Sequence, residues 1–417
     1  MSLRLRGIRK LYPVAPDQHA EIIEDAEIKI DGEHISWVGP QSDAPPLGDN
    51  EQVVDLQGAM VTPGWIDAHT HLIWAGSRQH EFTQRLQGKS YLEIAKAGGG
   101  IMSTVRNVRE ATVEQLVTWA RPRLQRFISY GVTTLEVKSG YGLSTDAELK
   151  MLRAAALLSK ETPVDIEPTF LGAHTIPTEY KSNRAAYLDL VCEEMIPKVV
   201  DEGLATSCDV FLEESAFTYE EAKRVLTTGQ RYGLHARIHA DQLSSGRGAE
   251  LAAEIGAASA DHLEEASLEG IKAMADAGVV ACMIPGSTFS LRQGKYAPAR
   301  TFLDEGVTLT LSTDINPGTT TSENIALMGT LACLHMGLSP LEVLHAVTRG
   351  AATSLKKQQH IGSVAKGFQA DLAIFDAPDV ETLFYHYGVS HVRQVIKRGT
   401  LLWSKPPLDG TTQHTFV

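Results

Sequence analysis

Short alternating runs of apolar and polar residues lie near both ends of the chain. Near the start, segments 26–30 and 35–39 alternate and are separated by Asp31-Gly32, a dipeptide typical of β-hairpin turns. The pattern then predicts a loop, a short strand and a turn, at 40–51, 53–56 and 57–58. Near the end it predicts a strand at 370–376 and a hairpin formed by 391–399 and 400–403.

Neither terminal region has enough apolar residues to fold alone. We therefore expect segments 1–61 and 362–417 to form together one small β-sandwich domain. Two independent β flaps, one at each end, are the alternative. The turn-rich segment 362–367 would lead from the central region into the C-terminal part of this domain.

Between the two ends, the pattern changes to short apolar runs separated by helix-length segments. Eight runs predict strands, at 60–66, 132–137, 164–171, 208–212, 234–239, 257–262, 279–284 and 307–312. The segments between them predict helices, at 112–130, 146–159, 220–232, 246–255 and 268–277. This α/β alternation predicts a (β/α)8 TIM barrel over residues 62–361. A doubly wound open sheet is the alternative, although no GxGxxG or P-loop motif follows an early strand.

Polar side chains follow most of these strands, and in a TIM barrel the catalytic groups lie at the carboxyl ends of the strands. The first run ends in an HxH motif, whose two imidazoles share one face if the strand continues and can then bind one divalent metal ion. Any single histidine is more often structural. Here, however, histidines follow strands one, three, five and six and an aspartate follows strand eight: His69, His71, His174, His239, His262 and Asp314.

Composition and charge narrow the class of protein. A chain of 417 residues is too long for a single small hydrophobic core. Its composition, 43% hydrophobic and 21% charged residues, is ordinary for a globular protein. A net charge of −13 disfavours nucleic acid as a partner. No apolar run is long enough to span a membrane, no apolar signal region follows the basic residues of 1–10, and the cysteines form no CxxC motif. We therefore expect a cytoplasmic protein with reduced thiols and no membrane partner.

The chain resembles the amidohydrolase superfamily over nearly its whole length. The resemblance rests on PGWIDAHTH at 63–71, on His239, His262 and Asp314, and on segment 362–376. In particular, the chain is similar to the imidazolonepropionases. The motifs that it shares with them are HTH at 69–71, AGSR at 75–78, EVKSGYG at 136–142, TFLGAH at 169–174, HADQ at 239–242 and STDINPGT at 312–319.

The resemblance implies a hydrolase that converts a small-molecule substrate, 4-imidazolone-5-propanoate, to N-formimidoyl-L-glutamate in the third step of L-histidine degradation. It also implies one divalent metal ion, Zn²⁺ or Fe, bound by His69, His71, His239 and Asp314. Superfamily members with two metal ions generally bridge them with a carbamylated lysine after strand four, and segment 208–214 contains no lysine. Lys138, on strand two, is expected either to be structural or to support the metal ligands.

The resemblance further implies three residues that act on the reacting atoms. Asp314 would take a proton from the metal-activated water and pass it to the leaving ring nitrogen. His262 would polarise the carbonyl oxygen, with orientation of Asp314 as its alternative role. Gln242 would hydrogen-bond a ring nitrogen. Because some family members have Glu at that position, the residue's role as a chemical or only a binding group stays open.

Substrate and product need further contacts. Arg78 offers a planar guanidinium for the propionate, and Tyr141 and His174 would line the pocket. The product would contact the loop after strand eight through Asn316, Gly318 and Thr319, for which plain turn chemistry is the alternative. The family also implies a homodimer. Two rivals are another deaminase or cyclic amidase of the superfamily, which would not need this arginine, and a metal-free scaffold, which would typically lack metal ligands.

Overall fold

The computed structural model describes residues 2–15, 22–89, 93–94 and 97–406. The strands are β1 (Ser2–Leu11), β2 (Ile23–Asp31), β3 (His34–Pro40), β4 (Glu51–Pro63), β5 (Trp65–Asp67), β6 (Val132–Lys138), β7 (Asp165–Ala173), β8 (Ser207–Leu212), β9 (His235–Ala240), β10 (Ser259–His262), β11 (Val280–Met283), β12 (Leu309–Leu311), β13 (Leu372–Phe375), β14 (Val392–Lys397) and β15 (Thr400–Ser404). The α-helices are Gln79–Leu86, Ile101–Glu110, Val113–Ser129, Thr145–Lys160, Arg184–Asp189, Ile196–Asp201, Tyr219–Arg231, Gly248–Glu254, Leu268–Ala277, Pro285–Leu291, Ala299–Asp304, Ile325–Met336, Pro340–His345, Ala351–Ser354 and Val380–Tyr385. The described residues also form two 3-10 helices, Gln41–Asp43 and Thr178–Tyr180, and two π-helical segments, Leu190–Met195 and Ala346–Gly350.

The central region forms an eight-stranded parallel sheet in which β5 to β12 lie in chain order. This order confirms the predicted barrel and excludes the doubly wound sheet, in which the strand order would reverse. Backbone hydrogen bonds at the HxH motif bring the two ends of this sheet together. The N–H of Asp314 donates to the carbonyl of His69 (3.1 Å), and that of His71 donates to Ile315 (3.0 Å). The motif therefore lies on the seam of the barrel.

The terminal segments form a second sheet of seven strands, in the order β15-β14-β13-β4-β1-β2-β3. Strand β13 from the C-terminal part pairs with β4 from the N-terminal part, so the alternative of two independent flaps is wrong. The predicted terminal β domain takes the form of one continuous hydrogen-bonded sheet. Its own buried cluster includes Leu5, Ile28, Leu372 and Ile396. The predicted boundaries at 61/62 and 361/362 stay a prediction.

Two details differ from the sequence-based expectation where the chain passes from the terminal sheet into the first barrel strand. The predicted turn at 57–58 is an irregularity inside β4, where Gln57 and Gly58 have φ of 52° and 78°. The predicted strand 60–66 is divided at Gly64, so that its first half belongs to the terminal sheet and only β5 belongs to the barrel. A Cβ at Gly64 would lie 2.4 Å from Thr133 Oγ1, so the crossing between the two sheets requires glycine here.

Local capping defines where several barrel helices begin. Thr112 and Thr218 precede the helices Val113–Ser129 and Tyr219–Arg231, and each forms a reciprocal capping box with the residue three positions later. The helices bury one face each against the strands, which places the main core between them. None of the described helices is long and apolar enough to cross a lipid bilayer.

Candidate metal centre and substrate pocket

Four side chains that the sequence assigned to a metal ion meet at the carboxyl ends of the barrel strands. The two HxH histidines lie just beyond β5, His239 lies on β9, and Asp314 follows β12. Asp314 Oδ1 lies 3.6 Å from His69 Nε2 and 3.4 Å from His71 Nε2. The rings of His69 and His239 lie 4.5 Å apart, and all four residues are buried. Ligand atoms of His69, His71 and Asp314 lie within 4.8 Å of one another, and so do those of His69, His239 and His262, so each set lies close enough to hold one ion.

The ring nitrogens of His69 and His239 are set up for a metal ion. Asp261 Oδ2 lies 2.6 Å from His69 Nδ1, and Asp209 Oδ1 lies 3.1 Å from His239 Nδ1. Each carboxylate accepts a hydrogen bond from Nδ1, which leaves the lone pair on Nε2. Both Nε2 atoms are buried without a hydrogen-bond partner among the described residues. Buried lone pairs without donors are what a cation would satisfy.

Electrostatics agree with this arrangement. Burial lowers the pKa of His69 and of His71 well below the usual range, so both imidazoles are neutral and able to bind a metal. Burial also raises the pKa of Asp314 well above its usual range, because a buried carboxylate without a cation is costly. A bound cation would remove that cost. The residues present therefore fit a metal ion.

His262 is the last residue of β10, and Gln242 follows β9 by two residues, so both lie at the carboxyl ends of the barrel strands. The His262 ring lies 5.5 Å from that of His69 and 5.3 Å from that of His239, close to the ligands. The side-chain amide of Gln242 donates from Nε2 to Ser287 Oγ (3.2 Å), which leaves its Oε1 as the acceptor for a ligand.

Sequence reasoning missed Ser287 because the end of strand seven carries no titratable residue. It also missed Glu264, whose only signal was its place two residues after His262. Thr288 donates to Glu264 Oε1 (2.6 Å), and burial raises the pKa of this carboxyl to about 7.

Tyr141 and His174 form the wall beside His71. The His174 ring stacks on that of His71 at 5.2 Å, and the Tyr141 ring lies 5.6 Å from His71 and 5.4 Å from His174. His174 Nδ1 lies 3.0 Å from the carbonyl of Gly140 and donates to it. Buried Glu148 accepts from the backbone N–H groups of the loop that carries Tyr141, namely those of Gly140, Gly142 and Leu143. The loop is therefore held rigidly at the pocket.

Arg78 lies beside the loop that follows β12. Its Nε and Nη2 donate to Glu81 Oε2 at 2.9 and 2.7 Å, and Glu81 Oε1 accepts from the N–H of Gly100. A Cβ built on Gly318 would lie 2.4 Å from Arg78 Nη1, so the guanidinium rests against the loop after β12. The Glu81 partner, which sequence reasoning missed, fixes the guanidinium before any ligand binds.

The loop after β12 is organised by Asn316. Its Nδ2 donates to the carbonyl of Asp314 (2.8 Å) and to Thr319 Oγ1 (2.7 Å), and its Oδ1 accepts from the N–H groups of Gly318 and Thr319 (both 2.8 Å). These four bonds use the full hydrogen-bonding capacity of the amide. The side chain therefore performs turn chemistry, and a product contact in this loop would fall to its backbone or to Thr319.

Comparison with known proteins identifies the family. The sequence profile of the amidohydrolase family matches residues 60–402. The chain is 47% identical over 390 residues to the imidazolonepropionase of Alkaliphilus metalliredigens, with 93% of this chain and 92% of that protein covered. The chain belongs to the amidohydrolase family and, within it, to the imidazolonepropionases. It is also 50% identical over 369 residues to the imidazolonepropionase of Myxococcus xanthus, with 88% of this chain and 87% of that protein covered.

Solved structures of other proteins share the fold of this chain. A triazine hydrolase variant superposes with a TM-score of 0.78 at 18% identity, covering 98% of this chain and 96% of that one. Atrazine chlorohydrolase TrzN from Arthrobacter aurescens TC1, complexed with zinc, superposes with a TM-score of 0.73 at 18% identity, covering 98% and 97%. The family and the buried His/Asp cluster together make this chain a hydrolase with a metal cofactor and a small-molecule substrate.

Proposed function

We propose that the chain hydrolyses the cyclic amide of 4-imidazolone-5-propanoate to N-formimidoyl-L-glutamate, in the third step of L-histidine degradation. The single observation that supports this most is the likeness to imidazolonepropionases at 45–50% identity over about nine tenths of the chain. The contacts of Arg78 and of the HxH histidines supply the chemistry that such a substrate needs.

The proposed metal ligands are His69, His71, His239 and Asp314, for one ion of Zn²⁺ or Fe. An ion bound there would lower the pKa of a water molecule from about 15.7 to about 7, so that hydroxide is available at neutral pH. The absence of lysine from β8 supports a single ion, because a bridging carbamate has no place to form on that strand.

The proposed roles of the chain's own residues follow from their positions. Asp314 accepts the proton of the attacking water through a carboxylate oxygen and passes it to the ring nitrogen as the C–N bond breaks. His262 donates to the carbonyl oxygen and stabilises the negative charge that develops there. Gln242 Oε1 accepts from a ring N–H, since its Nε2 is already bonded to Ser287. The net reaction adds one water across the C–N bond.

The proposed substrate contacts surround this centre. Arg78 Nη1 binds the propionate, because Nε and Nη2 are paired with Glu81. Tyr141 and His174 line the ring, and the loop of Asn316, Gly318 and Thr319 binds the product end. We also propose a homodimer, as the family implies.

Two measurements test the proposal. Purified protein should contain close to one tightly bound ion per chain by elemental analysis, and two ions per chain would contradict the mononuclear assignment. The metal-loaded enzyme should consume 4-imidazolone-5-propanoate, followed by the loss of its ultraviolet absorbance. Turnover of a ring imine or guanidine with release of ammonia, and none of the imidazolone, would favour a deaminase instead.

A further inference from the structure

Three buried carboxylates converge on one lysine behind the candidate metal centre. Lys138 Nζ lies 2.8 Å from Asp209 Oδ2, 2.9 Å from Glu136 Oε1 and 3.8 Å from Asp261 Oδ2. The side chain of Lys138 is fully buried, and none of the three carboxylates is more than 1% exposed. Nothing in the proposed mechanism uses this group, although it is costly to bury.

Each carboxylate connects Lys138 to a different part of the metal centre. Asp261 binds His69 Nδ1, and Asp209 binds His239 Nδ1, as described above. Glu136 Oε2 accepts from the N–H of Thr70 (3.0 Å), the residue between the two histidines of the HxH motif. One ammonium group therefore lies beside the carboxylates that bind two of the four proposed ligands and beside the carboxylate that holds the backbone between the HxH histidines.

The charges explain why a cation is needed at this position. Three carboxylates so close together repel one another and lose their hydration when buried. Arg237 supplies a second positive charge, but it lies 4.0 Å from Asp261 and donates to the carbonyls of Ala68 and Ser354. Among the residues that the structure describes, Lys138 is the lysine or arginine in contact with Asp209 and Glu136. Without Lys138, repulsion between the carboxylates would move Asp209 and Asp261 away from each other and from His239 and His69.

We propose that Lys138 is a positioning residue of the metal centre, an internal cation that holds Asp209 and Asp261 so that His69 and His239 present Nε2 to the ion. This inference rests on the proposed metal site. Lys138 is not itself a ligand, because its Nζ donates to Glu136 and forms an ion pair with Asp209. Removing partners of metal-binding histidines typically costs about tenfold to a hundredfold in metal affinity.

The chain offers a matched control for this lysine. Lys397 in the terminal sheet is 1% exposed and lies 2.6 Å from Asp165 Oδ2 and 2.7 Å from Asp371 Oδ2. It is thus another buried lysine between carboxylates, but neither carboxylate contacts a proposed ligand. Lys397→Met removes the same charge at the same burial and leaves the metal centre alone.

The experiment measures zinc affinity of the full chain by competition with a chromogenic chelator, for wild type, Lys138→Met, Lys138→Gln and Lys397→Met. Circular dichroism establishes folding. We expect both Lys138 variants to bind zinc about tenfold to a hundredfold more weakly, and Lys397→Met to keep wild-type affinity even where its melting temperature falls. Lys138→Gln retains a hydrogen-bond donor, so a loss in that variant identifies the charge as the cause.

The outcomes separate this inference from the proposed function. If wild type binds no zinc or iron, the metal centre itself is wrong. If wild type binds zinc and the folded Lys138 variants bind it equally well, or Lys397→Met loses as much affinity, the role assigned to Lys138 is wrong. Failure of both Lys138 variants to fold with excess zinc, while Lys397→Met folds, would also overturn it, because the lysine would then be structural.

Discussion

Single residues at this site are defined by which of their atoms are already bonded. His69 and His239 have Nδ1 bonded to a carboxylate, and their Nε2 atoms have no hydrogen-bond partner among the described residues. Arg78 has two nitrogens on Glu81, and Gln242 has its amide nitrogen on Ser287. In the proposed function, the remaining atom of each side chain is the one assigned to a ligand, so the pairing inside the protein supports the role proposed for each residue.

Asp314→Asn should keep the fold and lose nearly all turnover. The bond from Asn316 to residue 314 goes to the backbone carbonyl, so the substitution leaves the loop intact. The amide can still approach the ion but cannot accept a proton, and general base catalysis is worth about 10²–10⁴-fold. The measurement is kcat of the variant at verified metal content. Near-normal kcat in the metal-loaded variant would rule out the proton-transfer role.

Arg78→Met should raise KM by about tenfold to a hundredfold, with a smaller fall in kcat. A charge-assisted bond to the propionate contributes about 1.5–3 kcal/mol equally in the ground and transition states, so its loss appears mainly in KM. Lysine should recover only part, because it has no planar guanidinium that could pair with Glu81 through one edge and bind the propionate through Nη1. The control is a substrate analogue without the carboxylate. Equal losses on both substrates would mean that Arg78 is structural.

At the scale of elements, several barrel strands end at the site in residues with positive φ. The residues that follow or end β9, β10 and β12 have left-handed φ: 49° for Asp241, 79° for His262 and 50° for Asp314. Such conformations are uncommon for residues other than glycine, although Asp and His adopt them more readily than most, and they persist when the surroundings hold them. Here the strands supply rigid anchors, and the loops aim the side chains across the barrel mouth.

Gly318→Ala should lower kcat/KM by about tenfold to a hundredfold, mainly through KM, with little loss of stability. The new Cβ would lie 2.4 Å from Arg78 Nη1, and the flexible guanidinium would move from its place. A misplacement of about 1 Å can cost about a hundredfold. Kinetics and thermal unfolding of the variant measure the two effects.

Gly294→Ala is the control for that substitution, since a Cβ there meets nothing within 4 Å. Unchanged KM in Gly318→Ala would show that Arg78 does not act from its observed position against the loop.

At the scale of the whole molecule, ion pairs join the terminal sheet to the barrel. Asp165 at the start of β7 accepts from Lys397 (2.6 Å) and from the guanidinium of Arg398. Lys397 also binds Asp371 (2.7 Å), just before β13. The barrel and the terminal sheet therefore share one partly buried network on the side of β7 and β14.

Asp165→Asn should lower the free energy of unfolding by about 1–3 kcal/mol, because it leaves Lys397 and Arg398 with one carboxylate fewer. Turnover at 25 °C should stay unchanged, since the site is at the other end of β7. Thermal or denaturant unfolding measures the loss.

The control for that substitution is Asp189→Asn. Asp189 is 52% exposed and pairs with Arg224, and such a pair contributes about 0–1 kcal/mol. Equal losses of unfolding free energy in the two variants would mean that the Asp165 ion pairs between the two sheets stabilise the fold no more than an exposed pair does.

Several elements were predictable because their signals are local. The helix predicted at 268–277 coincides with Leu268–Ala277, and the barrel strands after the first agree within a few residues, since periodicity and strand length lie within each segment. The run 60–66 misled because its apolar residues belong to two sheets that meet at Gly64. The HxH histidines lie beyond β5, so they converge through barrel closure and not through strand periodicity.

By itself, the sequence determined the barrel, the terminal β domain and the positions where histidines and an aspartate follow the strands. Only the tertiary structure decided what stands behind those residues. Asp261 meets His69 across 192 positions, and Glu136 meets Thr70 across 66. Nothing local marks such carboxylates among the other acidic residues. Their partnership with Lys138 arises from parallel strands brought side by side, which is a property of the closed barrel and not of any segment.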